Sequence, residues 1–286
     1  MSRILCFESG PATLLDPSYI EEFGREKGML DELKVIQVSN DHRLFLEGEF
    51  GKFRIYCLTS HTRPEVIPDS VRLLSSDHFS AMLELELMPG EVSRHEVVFR
   101  LPYLSIDEVK SATYGLYPDS FAFIKRGFGP NIHVCDLSFL TLYAENAPLI
   151  PLKVEYIGIA KAEAREAPDR LGEGHEKLQK LLANQNRRPS RRSISIVLYR
   201  PSELEPPVLP FPDVVEAIEA TMIRHFRPTP MNVRRIDFPA DSPELVGKIR
   251  ALGAGLIYNE LASPKGTQLY SEQIVPSSIH TIAIRL

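Results

Sequence analysis

The segment "EATMIRHFRPTPMN", residues 219–232, sets a carboxylate where a packed helix would favour a methyl group. Pro212 suits a first helical position, and Val215, Ile218, Met222 and Phe226 follow at spacings of three and four, which predicts an amphipathic helix. Glu219 lies inside the edge of that apolar stripe, with Val215, Met222, Ile223 and Phe226 at i−4, i+3, i+4 and i+7. An ionised carboxylate in such a setting needs a cation or several donors, or its pKa rises. The question is what Glu219 holds.

The elements around it read as a small mixed unit. "LSFLTLYAE" and "PLKVEYIGIA" are two apolar strands joined by a short turn-like stretch. "APDRLGEGHEKLQKLLAN" predicts one helix, with Pro168 and Asp169 at its start and Leu171, Leu178 and Leu182 on one face. "RRSISIVLYRP" is a third strand, and the helix carrying Glu219 follows. The tail adds "VRRIDF", a short helix around "SPELVGKIRAL", and strands near "GLIYNE" and "SIHTIAIRL".

The front half reads differently. "LKVIQV", "RLFLEGE", "KFRIYCL", "AMLELEL", "EVVFRLP" and "SFAFIKR" are short runs rich in β-branched and aromatic residues, mostly separated by Gly, Pro, Asn or Asp. They predict a β-rich domain over residues 1–137, a sandwich or barrel, with one helical stretch at "DPSYIEEFGREKGMLDEL". Residues 138–286 form the second, mixed domain, so the fold class is α+β. His42, His61, His78, His95 and His133 are scattered without metal-ligand spacing and read as structural.

Composition narrows the function classes. Hydrophobic content of 43% and charged content of 25% are ordinary for a globular protein, and no run approaches the length of a membrane-spanning helix. Cys6, Cys57 and Cys135 match neither a disulfide framework nor a zinc site, which points to a reducing, cytoplasmic setting. The net charge of −5 argues against a protein coated in nucleic acid. The charge is uneven, however: residues 151–235 carry 15 Lys and Arg against 11 Asp and Glu, whereas residues 1–150 carry 14 against 22. A basic middle and an acidic front suggest different partners.

"VEYIG", then "DRLGEGH", then "EATMIRHFRPTPMN" resembles the GIY-YIG nuclease superfamily over residues 138–235. The last segment matches the family's Glu, apolar pair, Pro and Asn as Glu219, Met222 with Ile223, Pro228 and Asn232. The first half-motif falls on "TLY", where Thr141 and Leu142 stand for the family's Gly and Ile, and twelve residues separate Tyr143 from Tyr156. The resemblance implies a small sheet with flanking helices and a phosphodiester-cleaving site.

The resemblance implies that in that site Glu219 would ligate a divalent ion, Mg²⁺ or Mn²⁺, a normal arrangement for a hard cation completed by water and phosphate. The alternative is an ion pair between Glu219 and Arg170 without metal. Arg170 supplies fixed donors to the scissile phosphate. By the same resemblance Tyr143 and Tyr156 would meet on neighbouring strands, one positioning or deprotonating water and the other bonding phosphate. His175 either packs on the helix or acts as an acid–base partner. Arg187, Arg188, Arg191 and Arg192, in "NRRPSRRS", form a basic loop that contacts phosphate or is simply solvated, and Asn232 joins the nucleic-acid contacts. Arg224, Arg227, Arg234 and Arg235 could extend the same patch.

The leading expectation is therefore a metal-dependent endonuclease acting on nucleic acid, DNA in the first instance, in restriction or antiphage defence. Its acidic front domain would recognise a protein partner or position the substrate, with no membrane involved. Two alternatives remain open: a catalytically inactive nucleic-acid-binding or assembly module, and a nuclease subunit active only in a larger complex.

Overall fold

Strand β2 (Ile55–Thr62) is buried along nearly its whole length, although only the first half of "IYCLTSHT" is apolar. Both its faces are covered. Ile55 and Cys57 point into one apolar core, and Tyr56 and Leu58 into another. The chain is described here by a computed structural model, which covers residues 3–15, 53–88, 91–101, 105–114, 117–125, 131–136, 143–146, 149–160, 167–172, 174–187, 192–203 and 209–286. The expected helix in 16–33 and the strands "LKVIQV" and "RLFLEGE" lie outside those residues.

β2 sits near the middle of a seven-stranded sheet. The other members are β1 (Arg3–Leu15), β10 (Ile150–Ile159), β11 (Arg192–Glu203), β12 (Ala254–Ala262), β13 (Thr267–Tyr270) and β14 (Ile279–Arg285), in the order β13-β10-β2-β11-β1-β12-β14. β10 and β11 flank β2 and both run antiparallel to it. The two edges approach each other where Leu269 of β13 bridges Ser277, just before β14, so the sheet is nearly closed.

This topology corrects the expected division at residue 137. β1 and β2 come from the front of the chain, yet they pair with β10, β11 and β12 from behind it. The boundary would cut through one sheet. The β-rich character of the front half resides mostly between β2 and β10. There β3 (Glu65–Val66), β4 (Arg72–Leu73), β5 (His78–Met88) and β6 (Glu91–Arg100) form one small sheet, and β7 (Glu108–Tyr114), β8 (Tyr117–Lys125) and β9 (Asn131–Asp136) form another. The rings of Phe79 and Phe99 stack with centroids 4.8 Å apart, and Phe121 and Phe123 meet Phe79 edge-on at 5.0 and 5.3 Å. All four belong to the same apolar core as Ile55 and Ile157 of the large sheet.

Four helices are described. α1 (Ala167–Gly172) and α2 (Glu176–Arg187) cover one face of the sheet, with Ala167, Leu171, Leu178 and Leu181 packed against Leu58, Ile196 and Leu198. They replace the single helix expected over 167–184. Gly174, at φ +90, takes a backbone conformation that breaks the run between them. α3 (Phe211–Phe226) carries Glu219 and buries Val215, Ile218, Met222 and Phe226, as its spacing predicted. A buried polar chain ties it to the sheet: Ser9 Oγ donates to Asn259 Oδ1 at 3.0 Å, Asn259 Nδ2 to Thr221 Oγ1 at 3.1 Å, and Thr221 Oγ1 to Ile218 O at 2.8 Å. α4 (Pro243–Ala251) packs against β12 and α3. The architecture is mixed α and β. No described helix is long and apolar enough to cross a membrane.

Candidate functional site

The site begins with an irregularity in β10. Val154 pairs with Thr59 and Tyr156 with Leu58, so Glu155 is an extra residue opposite none on β2. Strand periodicity of two would put Tyr156 on the same face as Val154, inside the large apolar core. The bulge shifts the phase. Val154 and Ile157 stay in that core, while Tyr156 turns to the opposite face beside α1 and α2.

On that face Tyr156 meets Tyr56. Their ring centroids lie 6.1 Å apart, and His175 stands 5.5 Å from Tyr56 and 5.4 Å from Tyr156. The close approach depends on Gly158. A Cβ there would lie 2.5 Å from the Tyr56 hydroxyl oxygen and 2.8 Å from Cε1 of Tyr156. The glycine of "YIG" is thus a steric requirement of the tyrosine pair.

His175 precedes α2 and its orientation follows from its two ring nitrogens. Nδ1 accepts the backbone N–H of Leu178 at 3.3 Å, which caps the helix and leaves the proton on Nε2. Nε2–H then donates to the Tyr56 hydroxyl oxygen at 2.9 Å. Burial and the positive charges of Arg170 and Lys177 lower the His175 pKa to about 4, so the ring is neutral at neutral pH. Tyr56 in turn hydrogen-bonds Tyr156, a contact that raises the Tyr56 pKa and lowers that of Tyr156. The chain His175, Tyr56, Tyr156 therefore ends on Tyr156 as the hydroxyl that gives up its proton more easily. Burial still leaves both phenols above their ordinary value, with Arg170 pulling the other way and Glu219 adding to the rise.

Arg170 and Glu219 thus act on the same pair of hydroxyls, but they do not bond each other as an ion pair. Arg170 Nη1 donates a short hydrogen bond to the carbonyl of Ile159 at the end of β10. Glu219 Oε2 accepts from Arg235 Nη1 at 2.8 Å, with both side chains largely buried. Arg235 is an ion-pair partner of Glu219, and the expected alternative, a Glu219–Arg170 pair, is not formed.

Three further expectations change. Tyr143 is no strand neighbour of Tyr156, because β10 is flanked by β2 and β13. Tyr143 lies in a short 3-10 turn beside Ala144, which bridges Phe99, and it packs on the large apolar core away from the site. The tyrosine on the strand next to Tyr156 is Tyr56. Asn232 is buried and turned inward: its Oδ1 accepts Ile157 N–H at 2.9 Å and its Nδ2 donates to Ile157 O at 2.8 Å. β13 pairs with β10 only as far as Lys153, so the Asn232 amide takes over strand-like pairing where β13 stops. It positions β10 and does not face nucleic acid.

The basic patch is also reduced. Arg224 and Arg227 both pair with Asp237, at 3.6 and 2.7 Å, and Arg235 is committed to α3. Arg234 and Arg192 are exposed. Arg188 and Arg191 lie outside the described residues, as does the side chain of Arg187 at the end of α2.

The residue that sequence reasoning missed is Tyr56. Its signal stood in "KFRIYCL", a strand-like run in which a tyrosine is flanked by apolar residues. The site's donor set is hard: one carboxylate and two phenols beside a guanidinium. It fits a divalent cation held by Glu219 and completed by water and phosphate. Among the described residues no three His, Cys, Asp or Glu side chains cluster as a self-sufficient metal cage. No protein-family model matches the chain, and neither a curated protein nor a solved structure matches it.

Proposed function

We propose that this chain is a metal-dependent endonuclease built on a GIY-YIG-like plan, whose first half-motif is Ile55-Tyr56 and whose second is Tyr156-Ile157-Gly158. The observation that carries this reading is the convergence of Tyr56, Tyr156, Arg170, His175 and Glu219, drawn from two adjacent strands and three helical segments, around one pair of hydroxyls. The two half-motifs stand on neighbouring strands although the insertion of β3 to β9 separates them in sequence.

Hydrolysis of a phosphodiester needs a proton acceptor for the attacking water and positive charge at the phosphate. Tyr156, at the end of the hydroxyl chain, is the group that orients the water. It would accept that water's proton only where a cation had first lowered its raised pKa enough to ionise the phenol. Tyr56 and neutral His175 hold it in place and relay a hydrogen bond. Arg170 is anchored by one hydrogen bond to Ile159 O, and a guanidinium carries five N–H donors, so its fork can also meet a non-bridging phosphate oxygen. A divalent ion held by Glu219 would supply Lewis-acid polarisation of the phosphate and lower the pKa of a nearby hydroxyl.

A second reading rests on the Arg235–Glu219 ion pair. A carboxylate satisfied by arginine also suits a silent module that binds nucleic acid without cutting it. Incubation with plasmid, linear and single-stranded substrates, in Mg²⁺, Mn²⁺ or EDTA, separates the two. Cleavage that requires the metal and disappears in Glu219→Gln, with the melting curve unchanged, is the expected result. Binding without cleavage on every substrate and with either metal would overturn the enzyme reading.

A further inference from the structure

Arg235 ties itself to α3 through three hydrogen bonds. Nη1 donates to Glu219 Oε2 at 2.8 Å and to the backbone carbonyl of Glu216 at 2.8 Å, and Nη2 donates to Glu216 Oε2 at 3.0 Å. One guanidinium therefore grips two carboxylates three residues apart on α3. It does so from a backbone conformation with φ +66, in the left-handed region that arginine rarely adopts. The surrounding segment enforces it: Asn232 is pinned to Ile157, and the N–H of Phe238, whose ring is fully buried, bonds the Arg235 carbonyl at 3.3 Å. Strain kept at one residue beside a candidate site points to a role there.

We infer that Arg235 is a positioning residue that holds Glu216 back, so that Glu219 alone meets a divalent cation. This rests on the reading of Glu219 as the metal ligand. Glu216 and Glu219 share one helix face at i, i+3, a spacing that would let both carboxylates converge on one cation. Such a site would bind the ion more tightly and would crowd out the water and phosphate oxygens that hydrolysis requires. The arginine fork prevents this in two ways. It occupies Glu216 Oε2, and it places a fixed positive charge beside Glu219, which weakens cation binding while fixing the carboxylate's direction.

The test is Mn²⁺ binding by titration calorimetry, read beside cleavage and thermal melting, in the parent, Arg235→Gln and Arg235→Gln/Glu216→Gln. Arg235→Gln is expected to bind Mn²⁺ about tenfold more tightly while cutting about 10–100-fold more slowly. Adding Glu216→Gln should return Mn²⁺ affinity toward the parent value. A merely structural brace would lower the melting temperature without tightening the cation. Unchanged or weaker Mn²⁺ binding in Arg235→Gln overturns the inference, and so does a parent whose Mn²⁺ binding is the same in Glu219→Gln. If Arg235→Gln does not fold, Arg235→Lys makes the same comparison, because an ammonium cannot span both carboxylates as the fork does; tightening cancelled by Glu216→Gln is again the expected result, and its absence again overturns the inference. A parent that binds Mn²⁺ through Glu219 but cuts nothing would leave the Arg235 assignment standing and remove the nuclease reading alone.

Discussion

The two faces of the central strands are made from alternate residues of the same segments, yet they do different work. On one face Ile55, Cys57, Ile157, Val197 and Tyr199 join the large apolar core with Phe79, Phe99 and α3. On the other, Tyr56, Leu58, Ile196 and Leu198 lie under α1 and α2, with Tyr156 and His175 at the polar end. Two buried tyrosines show the contrast. Among the described residues the Tyr199 hydroxyl has no hydrogen-bond partner, so it contributes volume to the core. The Tyr56 hydroxyl is bonded to His175 and Tyr156, so it belongs to a polar network at the candidate site. Burial alone does not distinguish them; the partners do.

The largest expected effect comes from cutting the sheet. A fragment of residues 138–286 lacks β1 and β2, the strands that bridge β10 to β11 and β11 to β12. Both faces lose their centre at once. We expect this fragment to be insoluble or to show no cooperative unfolding by circular dichroism. A fragment that melts cooperatively would mean that the two halves hold separate cores.

Point substitutions should split the faces. Ile157→Ala removes a fully buried side chain from the apolar face and should cost about 2–5 kcal/mol in denaturant unfolding. Cleavage measured below its transition should survive. Tyr56→Phe keeps the ring and loses hydrogen bonds, so its stability cost should stay near 1 kcal/mol. Its cleavage should fall because Tyr156 loses the hydroxyl that orients it, by no more than the roughly 10²–10⁴-fold that loss of the proton-transfer group itself costs. The reverse pattern would move the chemistry to the other face.

Acid should expose a third contrast. His61, fully buried and on the apolar-core side by alternation with Cys57, has its pKa lowered to about 4 by burial, Arg63 and Arg192. The unfolded chain takes up that proton near pH 6.5 and the folded chain only near 4. Between those values the unfolded state binds more protons, so stability present above pH 6.5 is lost as pH falls toward 4. For His61 the loss is roughly 3 kcal/mol. His175 shifts in the same direction, but its ring is only partly buried and solvent screens it, so its share is smaller. His61→Gln should flatten the stability profile over pH 4–6.5 more than His175→Gln does, as read by chemical denaturation at several pH values.

Much of the site was legible because local rules wrote it. The Pro212 start and the three-and-four spacing of α3 made the helix and the misplaced Glu219 visible. "VEYIG" announced a strand ending in glycine, and Arg170 and His175 followed on a helical stretch. What was not legible is non-local. Alternation identifies a strand but not its neighbours, so nothing in the sequence paired Tyr56 with Tyr156 across the inserted sheets. The bulge at Glu155 leaves no pattern of its own, although it decides which face Tyr156 meets. Arg235 looked like one of several basic surface residues, because a left-handed arginine has no sequence signature.

The smallest expected effect is also the sharpest check on the tyrosine assignment. Tyr143 is half-buried against the large apolar core, on the far side of the sheet from His175. Tyr143→Phe preserves that packing and removes one hydroxyl, which should shift stability by no more than about 1.5 kcal/mol. Cleavage and its metal requirement should match the parent, whereas Tyr56→Phe and Tyr156→Phe should each impair it. The three variants differ from the parent by a single oxygen atom apiece, so differences in their activity report where that oxygen lies. If Tyr143→Phe loses activity and Tyr56→Phe keeps it, the half-motif belongs to "TLY" after all, and the pairing of β2 with β10 is not the catalytic one. If all three lose activity to the same degree, the hydroxyls act through the stability of the fold. Loss confined to Tyr56 and Tyr156 ties the reaction to the face on which the bulge in β10 brings the two rings together.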